Sequence, residues 1–409
     1  MRILWLKTEF LHPVDKGGRI RTYQMLREIA NRHHVTYLTL DDGLADRDAT
    51  ERAREYAAEV VRVPFSPPPK GTLPFYSALL GNLGSPLPYA VGRYRSAEME
   101  RAVQEHAQHA DLVICDFLAP AVNVPHQLAC PVLLFQHNVE SMIWERHTAV
   151  ATSAVKKAYM NLQWQRMERF EGQACRRFDH VVAVSPIDSQ VMRERFGVTA
   201  VSDVPTGVDT EYFTPEHTNP RRRVELVFTG SMDWMPNDDA MRWFLAEILP
   251  RIRASLPETT LTIVGRSPSA TVRSLAEKLP SVEVTGRVPD VRPYLDRASV
   301  FIVPMRVGGG TRLKIFEAMS MGLPVVSTAI GAEGLPLVDG VSGCLRDDPG
   351  RFADAVVTLL RDDAMRRRIA DTGQQQVREK YGWSGVADAF METCQQVVQS
   401  FGQRGTSQR

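Results

Sequence analysis

This 409-residue chain predicts an α/β protein with two Rossmann-like domains, each a parallel sheet covered by helices on both faces. Three observations predict it. Short apolar runs alternate with helix-period stretches from end to end. The runs are apolar throughout, as strands buried on both faces must be. The length suits two or three domains at roughly 100–200 residues each.

In the first half, strands are expected at Ile3–Leu6, Val35–Leu40, Val60–Pro64, Asp111–Cys115, Pro131–Phe135 and His180–Val184, with helices such as Ile20–Asn31 and Ser96–Gln108 between them. In the second half the strands are Glu225–Thr229, Thr260–Val264, Val282–Thr285, Val300–Val303 and Pro324–Ser327. The helices there are Asp238–Ser255, Ala270–Leu279 and Arg312–Met321. The joint falls in the proline-containing stretch from Val204 to Arg223, whose run Arg221-Arg222-Arg223 reads as a solvated linker. Domains are therefore expected at 1–205 and 206–382. A last helix, Val386–Phe401, lies in the tail 383–409 and carries an apolar stripe that must pack on something.

Composition narrows the class. A net charge of +1 gives no electrostatic case for nucleic acid, so none is expected as a partner. Cys115, Cys130, Cys175, Cys344 and Cys394 are scattered without a CxxC pair, as reduced thiols of a cytoplasmic protein would be. Met1–Leu6 reads as a strand and not a signal peptide, because Lys7 and Glu9 interrupt it. No run approaches the roughly 20 apolar residues of a membrane span. From Pro64 to Ala97 there is no acidic residue; Lys70, Arg93 and Arg95 accompany Pro67-Pro68-Pro69, Phe75, Tyr76, Leu79, Leu80, Leu83, Leu87 and Tyr89. The segment is either a loop with a helix packed on its own domain, or a surface that touches lipid or an apolar acceptor.

Ligands of open parallel sheets bind beyond the carboxyl ends of the strands, so the residues that follow each strand are the site candidates. After the tenth apolar run comes Val307-Gly308-Gly309-Gly310-Thr311-Arg312-Leu313-Lys314-Ile315-Phe316-Glu317. A strand, a glycine turn and a helix start bring bare amides and a positive helix end to one point, which suits a phosphate. Arg312 and Lys314 add cations, and Glu317 adds a carboxylate suited to sugar hydroxyls. After the first run, Gly17-Gly18 enters a helix and can offer amides, although the pattern is not GxGxxG. After the fifth run, Gln136-His137-Asn138-Val139-Glu140 places four polar groups at a strand end. Ser185-Pro186 reads as a helix cap. Gly230 opens another glycine turn, with Asn237 or Asp233 placed to cap the helix after it. Gly265-Arg266-Ser267 could lie under a nucleobase, and Glu333 stands near two glycines after Pro324–Ser327. Asp46-Arg47-Asp48 is formally a DxD, but its charged setting reads as surface. No HExxH, Cys/His set, GxxxxGK[ST] or GxSxG occurs, so no metal is expected.

Gly308–Glu317 with Ala318-Met319-Ser320-Met321-Gly322-Leu323-Pro324-Val325-Val326 resembles the signature of family 4 retaining glycosyltransferases. Pro205-Thr206-Gly207-Val208-Asp209-Thr210-Glu211-Tyr212-Phe213 is similar to their interdomain segment. Asp339-Gly340-Val341-Ser342-Gly343-Cys344-Leu345 is similar to their DGxxGxL strand pair. The motifs fall in order over nearly the whole chain. The resemblance implies a GT-B fold: two facing Rossmann-like domains with a central cleft, acceptor on the N-terminal side, donor on the C-terminal side, and a last helix crossing back to the N-terminal domain.

It also implies transfer of a sugar, with retention, from a nucleotide-diphosphate sugar to a saccharide or lipid-linked acceptor, in exopolysaccharide or glycolipid assembly. No cofactor or metal is implied. Site roles follow by motif. Glu317 would bind the donor ribose; the amides of Thr311, Arg312 and Leu313 would face the diphosphate. Gly17, Gly18, Gly230, Gly309, Gly310 and Glu333 would line the donor. His137 would sit by the transferred sugar, and Asn138 and Glu140 would lie on the acceptor side. Two features depart from the family. Gly309 stands where the first glutamate of Glu-x7-Glu is expected, and Gly230–Asn237 holds none of the usual cations. Lys314, then Arg312, would stabilise the leaving diphosphate instead. The alternatives are a non-catalytic nucleotide-sugar-binding protein and a nucleotide-sugar epimerase on the same fold.

Overall fold

The computed structural model describes residues 1–14, 17–43, 47–69, 71–149, 153–216, 224–308, 313–335 and 337–407. Two compact units result, Met1–Thr206 with Trp383–Arg409, and Gly207–Gly382.

The first unit is built on seven parallel strands: β1 (Arg2–Lys7), β2 (His34–Asp41), β3 (Glu59–Pro64), β4 (Leu112–Asp116), β5 (Val132–Phe135), β6 (His180–Ala183) and β7 (Val201–Asp203). Their order is β3-β2-β1-β4-β5-β6-β7. The second unit has six: β8 (Glu225–Thr229), β9 (Thr260–Val264), β10 (Val282–Gly286), β11 (Val300–Val303), β12 (Val325–Ser327) and β13 (Cys344–Leu345), in the order β10-β9-β8-β11-β12-β13. All the pairings are parallel. The order reverses between β1 and β4 in one sheet and between β8 and β11 in the other. Those are the points where open α/β sheets offer a crevice to a ligand.

Burial follows the apolar runs. β4, β5, β8 and β11 are buried at every residue, whereas β3 and β10 are the most exposed. These two lie at sheet edges, and they are the runs that charges interrupt: Glu59 and Arg62 in β3, Glu283 in β10. At the opposite edges, β7 and β13 have three and two residues. Neither appeared in the strand series read from apolar runs, because so short a strand leaves no periodicity. The 24-residue helix Ala154–Arg177 was also missed. Its polar composition hides a stripe whose buried members include Gln163 and Glu171.

Ser185 caps the helix Pro186–Phe196 as expected, its hydroxyl accepting from the Asp188 amide at 3.1 Å. All five cysteines are free and buried. The final helix, Trp383–Ser407, packs on the first helix, Gly17–Ala30, inside the first unit. Phe390 is fully buried between Trp5 of β1 and Phe135 of β5, with ring centroids 5.9 and 4.8 Å away. Arg32 and Asp388 close an ion pair at 2.6 Å on the exposed side. Phe390→Ala should therefore cost about 3–5 kcal/mol of stability. Chemical denaturation followed by tryptophan fluorescence checks this; an unchanged midpoint would detach the final helix from the first unit's core.

Candidate active site

In the first unit, the polar groups at the carboxyl ends of β1, β4 and β5 converge on one carboxylate. Asp116, the last residue of β4, is fully buried. Its Oδ2 accepts from Lys7 Nζ at 2.8 Å, Thr22 Oγ1 at 2.7 Å and Trp5 Nε1 at 3.0 Å. Its Oδ1 lies 2.7 Å from His137 Nε2. Burial opposes ionisation of Asp116, but Lys7 and His137 outweigh it and hold the carboxyl well below the usual range. The ring therefore lies in the carboxylate's field, although neither Oδ1 nor Nε2 has a hydrogen-bond partner. Burial then pushes the His137 pKa down to about 3, against the pull of Asp116. At neutral pH the ring is therefore held neutral, with one of its two nitrogens unprotonated.

Phe117 completes the arrangement. It follows Asp116 with a positive φ of 75°, and its ring stacks on His137 with centroids 3.8 Å apart. Lys7 Nζ lies 4.3 Å from the same ring. A Cβ at Gly18 would come within 2.7 Å of Phe117 Cζ. Gly18 is thus required for close approach between the first helix and the aromatic platform under His137. Gly17 opens that helix.

The loop that carries His137 is fixed from behind by Glu171, which is fully buried. Glu171 accepts from Gln136 Nε2 at 2.6 Å and from the amides of Glu140 and Ser141 at 2.7 and 2.8 Å. It therefore caps the helix Glu140–Ala149, although it lies on another helix. Burial pushes its pKa up to about 7, against those donors. Burial also raises the pKa of Glu140. Asn138 Nδ2 reaches Glu140 Oε1 only at 3.5 Å.

In the second unit, Lys314 and Glu317 lie on the helix Leu313–Ser320, which follows β11. Lys314 Nζ donates to Thr229 O at the end of β8 (3.0 Å) and to Asn237 Oδ1 (2.8 Å), and it lies 3.9 Å from the centroid of the Phe228 ring. Its cation is thereby placed at the β8/β11 switch point and is no loose surface charge. Asn237 does not cap its helix, and neither does Asp233: the helix Met235–Trp243 starts at Trp234 without a side-chain cap. Asn237 is instead spent on Lys314 and on Ser231 O, to which its amide donates at 2.8 Å. The glycines here allow contact. A Cβ at Gly230 would lie 2.7 Å from Asn237 Nδ2, and one at Gly265 only 1.8 Å from Gly230 O. Burial pushes the Glu317 pKa up to about 7, and Lys314 opposes the shift. Glu333 lies beyond β12, partly buried.

Gly309, Gly310, Thr311, Arg312, Asp46, Lys70 and the run Arg221–Arg223 lie outside the described residues. Among the described residues, no group of three or more His, Cys, Asp or Glu is placed to hold a metal ion.

Two family models match the chain. Residues 16–212 match the model described as Glycosyltransferase Family 4, and residues 223–362 match Glycosyl transferases group 1. The chain belongs to this glycosyltransferase family. A phosphatidyl-myo-inositol mannosyltransferase of Mycobacterium tuberculosis is 26% identical over 347 residues, which span 81% of this chain and 87% of that protein. The protein of the same name from Mycobacterium leprae is 31% identical over 227 residues, 54% of this chain and 59% of the relative. The structure of Anabaena HepE with UDP and glucose aligns with a TM-score of 0.67 at 16% identity, covering 97% of this chain and all of that one. The transferase has the GT-B fold, and its seven- and six-stranded parallel sheets are the two units of that fold.

The sequence reading missed Asp116, Phe117 and Glu171. Asp116 had a signal: a carboxylate directly after an apolar run, at a strand's carboxyl end. Glu171, in the middle of a polar helix, had none.

The state of His137 gives a pH prediction. Its folded pKa is depressed from 6.5 to about 3. Between those values the unfolded chain binds a proton that the folded one does not. Stability therefore falls as pH drops from about 6.5 towards about 3. Urea denaturation over that window should show a shallower fall for His137→Gln than for the parent; parallel curves would place a charged His137 in the fold.

Proposed function

We propose that this glycosyltransferase moves a sugar from a nucleotide-diphosphate sugar to a hydroxyl of a saccharide or lipid-linked acceptor, with retention and without a metal, in polysaccharide or glycolipid assembly. The observation that carries the reading is the fixing of Lys314 on Thr229 O and Asn237, at the switch point of the second sheet. A departing diphosphate needs a preorganised cation, and a cation already held by its neighbours requires little reorganisation. Glu317 lies one helical turn further on. A carboxyl with a pKa near 7 is ready to ionise and accept from two ribose hydroxyls. Arg312 and the amides of Thr311 and Leu313 would complete the phosphate cradle, with Gly230, Gly309, Gly310 and Glu333 around the donor. Neutral His137 offers the transferred sugar a hydrogen-bond acceptor, beside Gly17 and Gly18. Asn138 and Glu140 belong to the acceptor side. The relatives' names, a phosphatidyl-myo-inositol mannosyltransferase and a UDP complex, fit the same reading.

A panel of nucleotide sugars tests it. A good donor at about 100 times its dissociation constant should add about 2.7 kcal/mol of stability. Glu317→Ala should abolish that gain and most turnover, and Lys314→Ala should lower kcat by about 100-fold or more. Activity of Glu317→Ala within a few-fold of the parent would refute the assignment. Binding without turnover for any acceptor would favour a non-catalytic protein, and product from donor alone an epimerase.

The acid-free segment supports work at an anionic lipid surface. No helix among the described residues is long and apolar enough to cross a membrane. The helix Leu73–Asn82 and the residue after it nevertheless expose Leu73 (85%), Tyr76 (54%), Leu80 (68%) and Leu83 (47%) at a spacing that makes one face. The helix Ala154–Arg177 lies beside it, through Gln163 to Asn82 and Arg166 to the Asn82 and Leu83 carbonyls. Its first turn adds exposed Val155, Lys156 and Lys157. Apolar groups and cations without a carboxylate among them match an anionic bilayer. Co-sedimentation with phosphatidylglycerol-containing vesicles should drop several-fold for Leu73→Gln/Leu80→Gln and for Lys156→Gln/Lys157→Gln. Unchanged sedimentation of both would remove the lipid surface.

A further inference from the structure

The loop that carries His137 is tied at both ends to one carboxylate on a distant helix. Glu171 lies on the buried stripe of the helix Ala154–Arg177. Its Oε1 accepts from Gln136 Nε2 at 2.6 Å and from the Glu140 amide at 2.7 Å; its Oε2 accepts from the Ser141 amide at 2.8 Å. A single side chain thus holds the residue before His137 and the two residues that start the next helix. The Gln136 backbone is anchored as well, its amide donating to Val182 O of β6 at 2.8 Å. Within the loop itself, Asn138 reaches Glu140 only at 3.5 Å.

The chemistry of this tie is one-sided. All three partners are N–H donors, so a carboxylate matches them and a neutral group does not. A protonated carboxyl brings its own O–H among the donors, and a glutamine brings an NH2. A buried carboxylate is a costly way to pack a helix. What the charge supplies is a fixed separation between the two ends of the loop. We propose that Glu171 is a positioning residue for sugar transfer: its carboxylate holds both ends of the His137 loop, so that the imidazole meets the transferred sugar in one orientation. This deepens the sugar-transfer reading and rests on the place which that reading gives to His137.

Activity then follows the charge of Glu171. Burial raises its pKa to about 7; Ser141 and the Glu140 amide oppose the shift, and the Glu140 carboxyl adds to it. Cys175, one turn along the same helix, faces it as a thiol that burial keeps neutral. The carboxylate is present above about pH 7 and lost below it, so kcat should fall as pH drops through that value. Glu317 also titrates near 7, but at the donor, so its limb belongs to KM.

The test is kcat against pH for the full chain, with UDP-glucose and GDP-mannose as donors and their hydrolysis as the assay. The Ser141 amide is followed beside it by nitrogen–proton NMR without ligand. Glu171→Gln should lower the high-pH plateau of kcat about 10- to 100-fold at unchanged donor KM. Its profile should be flat and should meet the parent's below about pH 6. A merely structural loss would scale the whole profile and keep its shape. Glu140→Gln should keep the limb. The Ser141 amide of the parent should titrate with the same midpoint, which decides the matter if the glutamine variant does not fold or neither donor turns over. Three results overturn the proposal: a Glu171→Gln profile parallel to the parent's, a limb abolished by Glu140→Gln instead, or a Ser141 amide that does not titrate between about pH 5.5 and 8.5. Failure of the donor reading shows separately, as a Glu317→Ala variant that keeps its activity while the Ser141 amide still titrates.

Discussion

The first unit's site depends on one buried carboxylate. Asp116 ends β4 at the switch point and gathers donors from β1, the first helix and the loop after β5. Removing it would leave Lys7 as an uncompensated buried charge, which is typically worth about 3–5 kcal/mol. Through the three donors on Oδ2, the cluster rigidifies its surroundings. It sets the protonation of His137, aligns the first helix through Thr22, and seats Phe117 against Gly18. The cation, the ring and the imidazole are one construction.

The second unit positions its cation through neutral partners. Lys314 is held by a backbone carbonyl and a side-chain amide, both neutral. These two contacts position its charge. The contrast suits different tasks: a neutral imidazole on one sheet, and a positioned cation on the other. Gly230 and Gly265 fit this account as points of close approach, where any side chain would push Lys314 or its supports away.

Most of the fold was legible because fully buried parallel strands write themselves as continuous apolar runs. β8, β9 and β11 fall on the residues that their runs named. β7 was too short to leave a pattern, β13 was legible only through the DGxxGxL resemblance, and the helix Ala154–Arg177 buries polar residues, which masks its inner face. The site was half legible. His137, Gly18, Lys314 and Glu317 follow strands, and a strand end is visible in sequence. The partners that give them their chemistry are 21 to 85 residues away: Asp116 from His137, Thr229 and Asn237 from Lys314. Only folding brings those together. Asn237 shows the difference plainly. Its place before a helix reads as a cap, yet an asparagine within reach of a buried-side lysine makes the stronger, charge-assisted bond.

The most direct measurement is nitrogen NMR of the His137 ring at pH 6. The account predicts a neutral imidazole, with one of its two nitrogens unprotonated. An imidazolium would contradict it.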